Sequence, residues 1–244
     1  ATWLTVLGGM DWPQQKATST EGIRKQKQEL CDILDRLKEA NFNTVLLQTR
    51  VRGTLIYPSS IETFPEALTG KTGRNPGYDP LAFAIEECHK RGMELHAWMV
   101  AVPLGSDEVH KEMGAQSITK RYPHLCKRFR NHWYLNPGHP DSRKYLASLV
   151  NELITRYDVD VVHLDYIRYP VSSREEDTGF TIESMKGFYE GVMGKTFTAN
   201  QSSSREKMYN KFTQLFDKQY LLGGQEEADA NYQKWVDYRM GLIT

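Results

Sequence analysis

Four stretches of the chain begin apolar and finish in ionisable or aromatic groups. Val161-Val162-His163-Leu164-Asp165-Tyr166-Ile167-Arg168-Tyr169-Pro170 is the sharpest: strand alternation puts His163 and Asp165 on the parity of Val161, with Val162 and Leu164 opposite and predicted buried. Thr44 to Arg52 ends with Gln48, Arg50 and Arg52 on one parity, Met93 to Val100 carries His96 and Trp98, and Trp3 to Pro13 ends in glycines, Asp11 and Trp12. Helical periodicity fills the intervals. Ser19 or Thr20 caps a helix to about Ala40, with Ile23, Leu30, Ile33, Leu34, Leu37 and Ala40 in one stripe. Asp79-Pro80 starts a second, with Leu81, Ala84, Ile85 and Cys88 inward and Gly92 as its stop. Asp141 or Ser142 opens a third, with Leu146, Leu149, Val150, Leu153 and Ile154 inward. This repeated β-α order predicts an α/β fold with a parallel sheet and right-handed crossovers. Polar strand ends converging on one mouth are where such folds keep their chemistry.

The repeat supplies four strands and the opening of a fourth helix, Tyr232 to Thr244. A complete (β/α)8 barrel takes about 250 residues with short connections. The expectation is therefore a single domain over residues 1–244 holding about the first four β/α units of a TIM-type barrel. Its open sheet edge would pair with a missing later segment or with another copy of the chain. Two long connections interrupt the repeat. Val102 to Pro140 reads as a loop whose Trp133, Tyr134, Asn136 and His139 either contact a ligand or pack on themselves. Residues 171–231 read as a helical lid or subdomain after strand four, with the run Asn200-Gln201-Ser202-Ser203-Ser204 as its hinge.

Charge narrows the partners. Lys and Arg together number 31, as do Asp and Glu, so no net field marks the chain for nucleic acid or an anionic membrane. No apolar run is long enough to span a bilayer, and no signal-peptide pattern is present. Cys31, Cys88 and Cys126 lack metal or redox spacing; the first two fall on helices as packed thiols, and Cys126 falls in a loop. The seven histidines show no zinc motif, although His96, His163 and Asp165 could meet across neighbouring strands as the ligands of a metal-dependent hydrolase.

Longer motifs then align in order. Trp3-Leu4-Thr5-Val6 with Asp11-Trp12-Pro13, Asn43-Thr44-Val45 running into Gln48-Thr49-Arg50-Val51-Arg52-Gly53, Tyr57-Pro58-Ser59-Ser60 and Pro76-Gly77-Tyr78-Asp79-Pro80-Leu81 open the series. His89 to Trp98, Leu135-Asn136-Pro137 and His163 to Pro170 complete it. Together they resemble the glycosyl-hydrolase-like family 10 domain from about Thr2 to Pro170. The resemblance implies a (β/α)8 barrel of glycosidase type, usually exported. It also implies an extracytoplasmic setting, periplasmic or at the surface with a possible lipid anchor in the full precursor. Some members are implicated in cutting the glycan strands of bacterial cell wall.

Glycoside hydrolysis needs two carboxyl groups flanking the bond. Asp165 is the expected nucleophile or stabilising carboxylate, with Arg168 or His163 as its charge partner. The general acid is expected on a later strand, with Asp11, Glu62 and Asp107 as substitutes within the chain. Trp98, Tyr57, Trp12 and Tyr166 offer apolar faces to a pyranose, and Gln48, Arg50, His96, Asn136 and His163 offer hydrogen bonds to its hydroxyls. The resulting expectation is a glycoside hydrolase acting on a polysaccharide or cell-wall glycan, needing no cofactor; the alternatives are a carbohydrate-binding barrel without catalysis and the metal-dependent hydrolase.

Overall fold

The computed structural model describes residues 1–170 and 179–242. Strands β1 (Thr2–Leu4), β2 (Thr44–Val51), β3 (Thr54–Leu55) and β4 (Glu94–Val100) are interleaved with helices α1 (Thr20–Glu39), α2 (Glu66–Thr69) and α3 (Pro80–Lys90). There follow β5 (Pro103–Ser106), α4 (Asp107–Met113), α5 (Ile118–Arg121), β6 (Cys126–Phe129), β7 (His132–Leu135), α6 (Pro140–Arg156) and β8 (Val161–Asp165). Helices α7 (Ile182–Gly187), α8 (Arg205–Thr213) and α9 (Gly224–Gly241) close the chain. The main sheet runs β1-β2-β4-β8 with every neighbour parallel, and β3 pairs antiparallel with β2. This is the layout of the first four strands of a (β/α)8 barrel.

The helices start where short polar side chains satisfy free backbone N–H groups. Ser19 Oγ accepts from Gly22 N at 3.1 Å, and Asp79 Oδ1 accepts from Leu81 N and Ala82 N at 3.1 and 3.0 Å, with Pro80 as the first residue of α3. Helix α6 begins at Pro140, ahead of the expected opening at Asp141 or Ser142, and is capped by His139, whose Nδ1 accepts from Asp141 N at 3.2 Å. Leu30 and Leu34 of α1, Leu81 and Ala84 of α3, and Leu149 and Leu153 of α6 bury one face of the sheet, Leu4, Val45, Leu47, Leu95, Ala97 and Met99. Each such side chain removed from water contributes roughly 1.5–3 kcal/mol. Two expected core positions are not buried: Leu164, on the last strand of the sheet among the described residues, is 49% exposed, and Ile154 of α6 is 55% exposed.

A second correction lies in β2. Its pairing with β4 shifts between Gln48 and Arg50, so Gln48 stands beside Trp98 but Arg50 beside Met99, a core residue. This bulge breaks the parity on which Gln48 and Arg50 were to share a face. Arg50 instead is fully buried: Nε and Nη2 donate to Glu62 at 2.8 and 2.5 Å, and Nη1 donates to the carbonyls of Val100 and Ala101. Tyr145 of α6 donates to Glu62 at 2.8 Å. Burial is the largest single influence on the guanidinium pKa and pushes it down, but the charge and hydrogen bonds of Glu62 together with Tyr145 and Tyr57 outweigh it and the net shift is upward.

The stretch expected as a loop from Val102 to Pro140 holds a second, antiparallel sheet in the order β5-β7-β6. Asp107 anchors it by accepting from Arg128 at 3.0 and 2.6 Å and from Trp133 Nε1 at 2.8 Å. Cys126 sits on β6 rather than in a loop, and burial raises its thiol to about 12.

Beyond Pro170, residues 171–178 of the expected insertion lie outside the described residues. From Phe180 onward, helices α7 to α9 gather Phe180, Phe188, Phe212, Phe216 and Trp235 into a separate aromatic core. The last helix, expected from Tyr232, begins at Gly224, and it packs in this cluster rather than on the sheet; Thr244 lies outside the described residues. Asn200 to Ser204 does not form an open hinge, since Gln201–Ser203 makes a 3-10 turn and Ser204 Oγ caps α8 by accepting from Lys207 N at 3.2 Å.

Because Arg50 is left uncompensated when its partner is neutralised, Glu62→Gln is expected to cost about 3–5 kcal/mol in urea unfolding. The paired change Arg50→Met with Glu62→Leu should recover most of that loss. An equal loss in both variants would show that the site depends on shape rather than charge.

Candidate active site

The sheet face turned away from the helices carries the polar groups. Register places Trp3 beside Leu46, Leu46 beside His96, Gln48 beside Trp98, Trp98 beside His163 and Val100 beside Asp165. Paired residues of a parallel sheet project to the same side, so Trp3, His96, Trp98, His163 and Asp165 share one surface. Trp3, 53% exposed, meets Trp98 edge-on with ring centroids 4.8 Å apart and His163 at 6.0 Å. It was absent from the expected site residues, although its early place on a strand of matching parity was a readable signal.

Asp165 ends β8, half-buried. Its Oδ2 accepts from Trp98 Nε1 at 2.8 Å and its Oδ1 from Tyr166 N at 2.6 Å. The second bond depends on an unusual backbone: Tyr166 has φ +47°, a left-handed conformation that costs a non-glycine residue roughly 1 kcal/mol or more. Pairing with the β4 end holds that turn, through Ala101 N to Asp165 O at 2.8 Å and Val102 N to Tyr166 O at 3.2 Å. Neither expected charge partner touches the carboxylate. Arg168 lies over the Tyr166 ring, 5.0 Å from its centre, and both side chains are exposed.

His96 and His163 form their own chain. Their rings stack at 5.1 Å, with Nδ1 of His96 2.9 Å from Nε2 of His163, and Nε2 of His96 lies 3.1 Å from Glu94 Oε2. The chain is satisfied when His96 donates to Glu94 and accepts from His163. These contacts run away from Asp165. Among the described residues the three do not converge as metal ligands, which removes the basis for the metal-dependent reading.

The other expected contacts divide. Gln48 lies on the same face beside Trp98, but its Oε1 is occupied by Thr5 Oγ1 at 2.8 Å and by Val6 N and Leu7 N at 3.0 Å each, which fixes the turn after β1. Arg50 is in the core with Glu62, as described above. Tyr57 is 1% exposed and packs on Tyr157 at 5.1 Å, and Trp12 is 0% exposed with its Nε1 on Gln26 O at 3.0 Å, so neither presents a face to ligand. Asn136 is a joint between the sheets and the terminal helices: Nδ2 donates to Glu183 at 3.1 Å, and Oδ1 accepts from Tyr169 and Thr181 at 3.3 Å each. Each of the in-chain substitutes for the acid is engaged by other partners. Asp11 accepts from Thr5 N at 2.8 Å, Glu62 holds Arg50, and Asp107 holds Arg128 and Trp133. A depression where β1 and β2 end, lined by Leu7, Gly8, Arg52 and Thr54, measures about 70 Å³, which suits a few waters rather than a sugar ring.

With this geometry in hand, the chain belongs to the family described as Glycosyl hydrolase-like 10, whose model matches residues 1–240. It is 34% identical over 172 residues to Glycosyl hydrolase YngK of Bacillus subtilis, an alignment covering 70% of this chain and 33% of that protein. It is 35% identical over 183 residues to Glycosyl hydrolase DigH of Escherichia coli, covering 70% and 42% respectively. The chain thus spans well under half the length of these curated relatives. Among solved structures, a hypothetical protein from Ruminiclostridium thermocellum overlaps 87% of this chain and 88% of its own at 16% identity and TM-score 0.47.

The Asn136 joint yields a structural expectation. A Cβ on nearby Gly138 would lie 2.1 Å from buried Ser184 Oγ, so Asn136→Ala and Gly138→Ala should each loosen the terminal helices. Limited proteolysis is expected to cleave residues 180–242 several-fold faster in both variants while the sheet stays protected. Unchanged cleavage would show that the joint carries no stability.

Proposed function

We propose that the chain provides the nucleophile side of a glycoside hydrolase site, with Asp165 as the nucleophile or stabilising carboxylate. The observation that carries this reading is the posture of Asp165. Its two oxygens are fixed by N–H donors from Trp98 and Tyr166 at a strand's C-terminal end, on a face whose aromatic groups remain open. A carboxylate so held is oriented without spending conformational freedom at the moment of attack. Trp98 and Trp3 offer the apolar surface on which a pyranose stacks, and His163 and Tyr166 border it with hydrogen-bonding groups.

Asp11, Glu62 and Asp107 are each committed to other partners, so this reading assigns the acid to a carboxyl other than these three. Among the described residues, the engagement of those three acids elsewhere favours one rival, a glycan-binding barrel that does not cleave. The substrate in the proposed reading is a polysaccharide or bacterial cell-wall glycan, met outside the cytoplasm. Family membership supports both proposals.

Asp165→Asn, tested in the intact protein, should lower kcat by at least about 10³-fold while glycan affinity changes little, the pattern of a lost nucleophile. Wild-type turnover in that variant would remove Asp165 from the reaction. Glycan binding with no turnover in the unmodified protein, across a panel of cell-wall fragments, would establish the binding barrel instead.

A further inference from the structure

The second sheet ends in a cluster that the glycosidase reading does not use. Register pairs Cys126 with Leu135, and Asn136 N donates to Leu125 O at 2.7 Å, which extends the β6-β7 ladder by one step. That step sets His124, in the 3-10 turn before β6, opposite the turn through Pro137 and Gly138 that ends at His139. The two imidazoles stand 5.1 Å apart at 60°. Asp141, in the first turn of α6, accepts through Oδ1 from Lys144 Nζ at 2.8 Å and leaves Oδ2 4.0 Å from His139 Nδ1. One ligand atom from each of His124, His139 and Asp141 lies within 4.8 Å of the others, the single group of its kind among the described residues.

We propose that His124, His139 and Asp141 form a binding site for a borderline divalent transition metal, with Zn²⁺ as the reference ion. Two imidazoles and a carboxylate are the donor set of a three-ligand zinc site whose fourth position is left to water or an exogenous group. Calcium and magnesium, which take shells of oxygen donors, suit it poorly. Metal bonds of about 2.0–2.2 Å place tetrahedral ligand atoms about 3.4 Å apart, so the cluster must close by roughly 1 Å. His124 is exposed and is held by ring contacts with Tyr122 and His139 rather than by a hydrogen bond among the described residues, so its side chain can make that movement.

Two effects oppose the ion. Binding at His139 Nδ1 gives up its 3.2 Å capping bond with Asp141 N, and the positive end of the α6 dipole repels a cation. The Asp141 carboxylate offsets the second, and three metal bonds exceed one long hydrogen bond. The ion would tie the turn before β6 to the first turn of α6. It would thereby brace Asn136, which docks the terminal helices.

The test is calorimetric titration of the metal-stripped chain with ZnCl₂ alone. One ion per chain is expected, with affinity falling tenfold or more in His124→Ala and again in Asp141→Asn. Co²⁺ in place of Zn²⁺ should give visible d-d bands that the same variants lose, a readout independent of activity. Far-UV circular dichroism checks folding, and His124, on an exposed turn, is the variant least able to disturb it. Absence of stoichiometric binding overturns the proposal. So does binding that survives the His124→Ala and Asp141→Asn double variant, and binding abolished by His96→Ala, which would assign the ion to the His96 and His163 pair.

Discussion

A parallel sheet has two faces, and helices α1, α3 and α6 claim one of them here. Everything polar that the strands carry in alternation with their core residues is then forced onto the other face. Trp3, His96, Trp98, His163 and Asp165 are neighbours for that reason, although sequence separates them widely. The Trp98 to Asp165 hydrogen bond couples β4 to β8 across this face, and the left-handed turn at Tyr166 completes the hold on the carboxylate.

The same constraint explains the one group that escaped. A single extra residue at the β2 bulge reverses the parity of Arg50 and commits it to the core, where a guanidinium survives only with Glu62 and the β4 carbonyls around it. A buried pair of this kind holds α6 through Tyr145 and the end of β4 together. The end of β4, next to the Asp165 strand, is therefore held by a buried ion pair.

Much of this was legible in the chain. Capping residues Ser19 and Asp79, the helical stripes, and the apolar halves of four strands gave the β-α order and the parity of His96, Trp98, His163 and Asp165. What escaped was structure set by non-local pairing. A bulge leaves no mark in the residues of β2 themselves, and Gln26, buried in the α1 stripe between Trp12, Leu68 and Tyr78, reads as polar until its hydrogen bonds are known. The β5-β7-β6 sheet is built from strands of four residues, too short to show alternation above their loop-like composition. Tyr57, Trp12 and Asn136 illustrate a further limit, since an aromatic or amide side chain has the same chemistry whether it faces a ligand or a packing partner.

The five tryptophans provide a direct probe of the account, because their indole N–H groups lie in distinct settings. In a ¹⁵N-labelled sample titrated with soluble cell-wall glycan fragments, the Trp98 indole resonance, bonded to Asp165, and that of exposed Trp3 should shift together and saturate. Those of Trp12, Trp133 and Trp235, held by Gln26, Asp107 and the helical core, should stay fixed. Saturable shifts confined to Trp133 or Trp235, with Trp98 unmoved, would contradict the assignment of the Asp165 face as the sugar site.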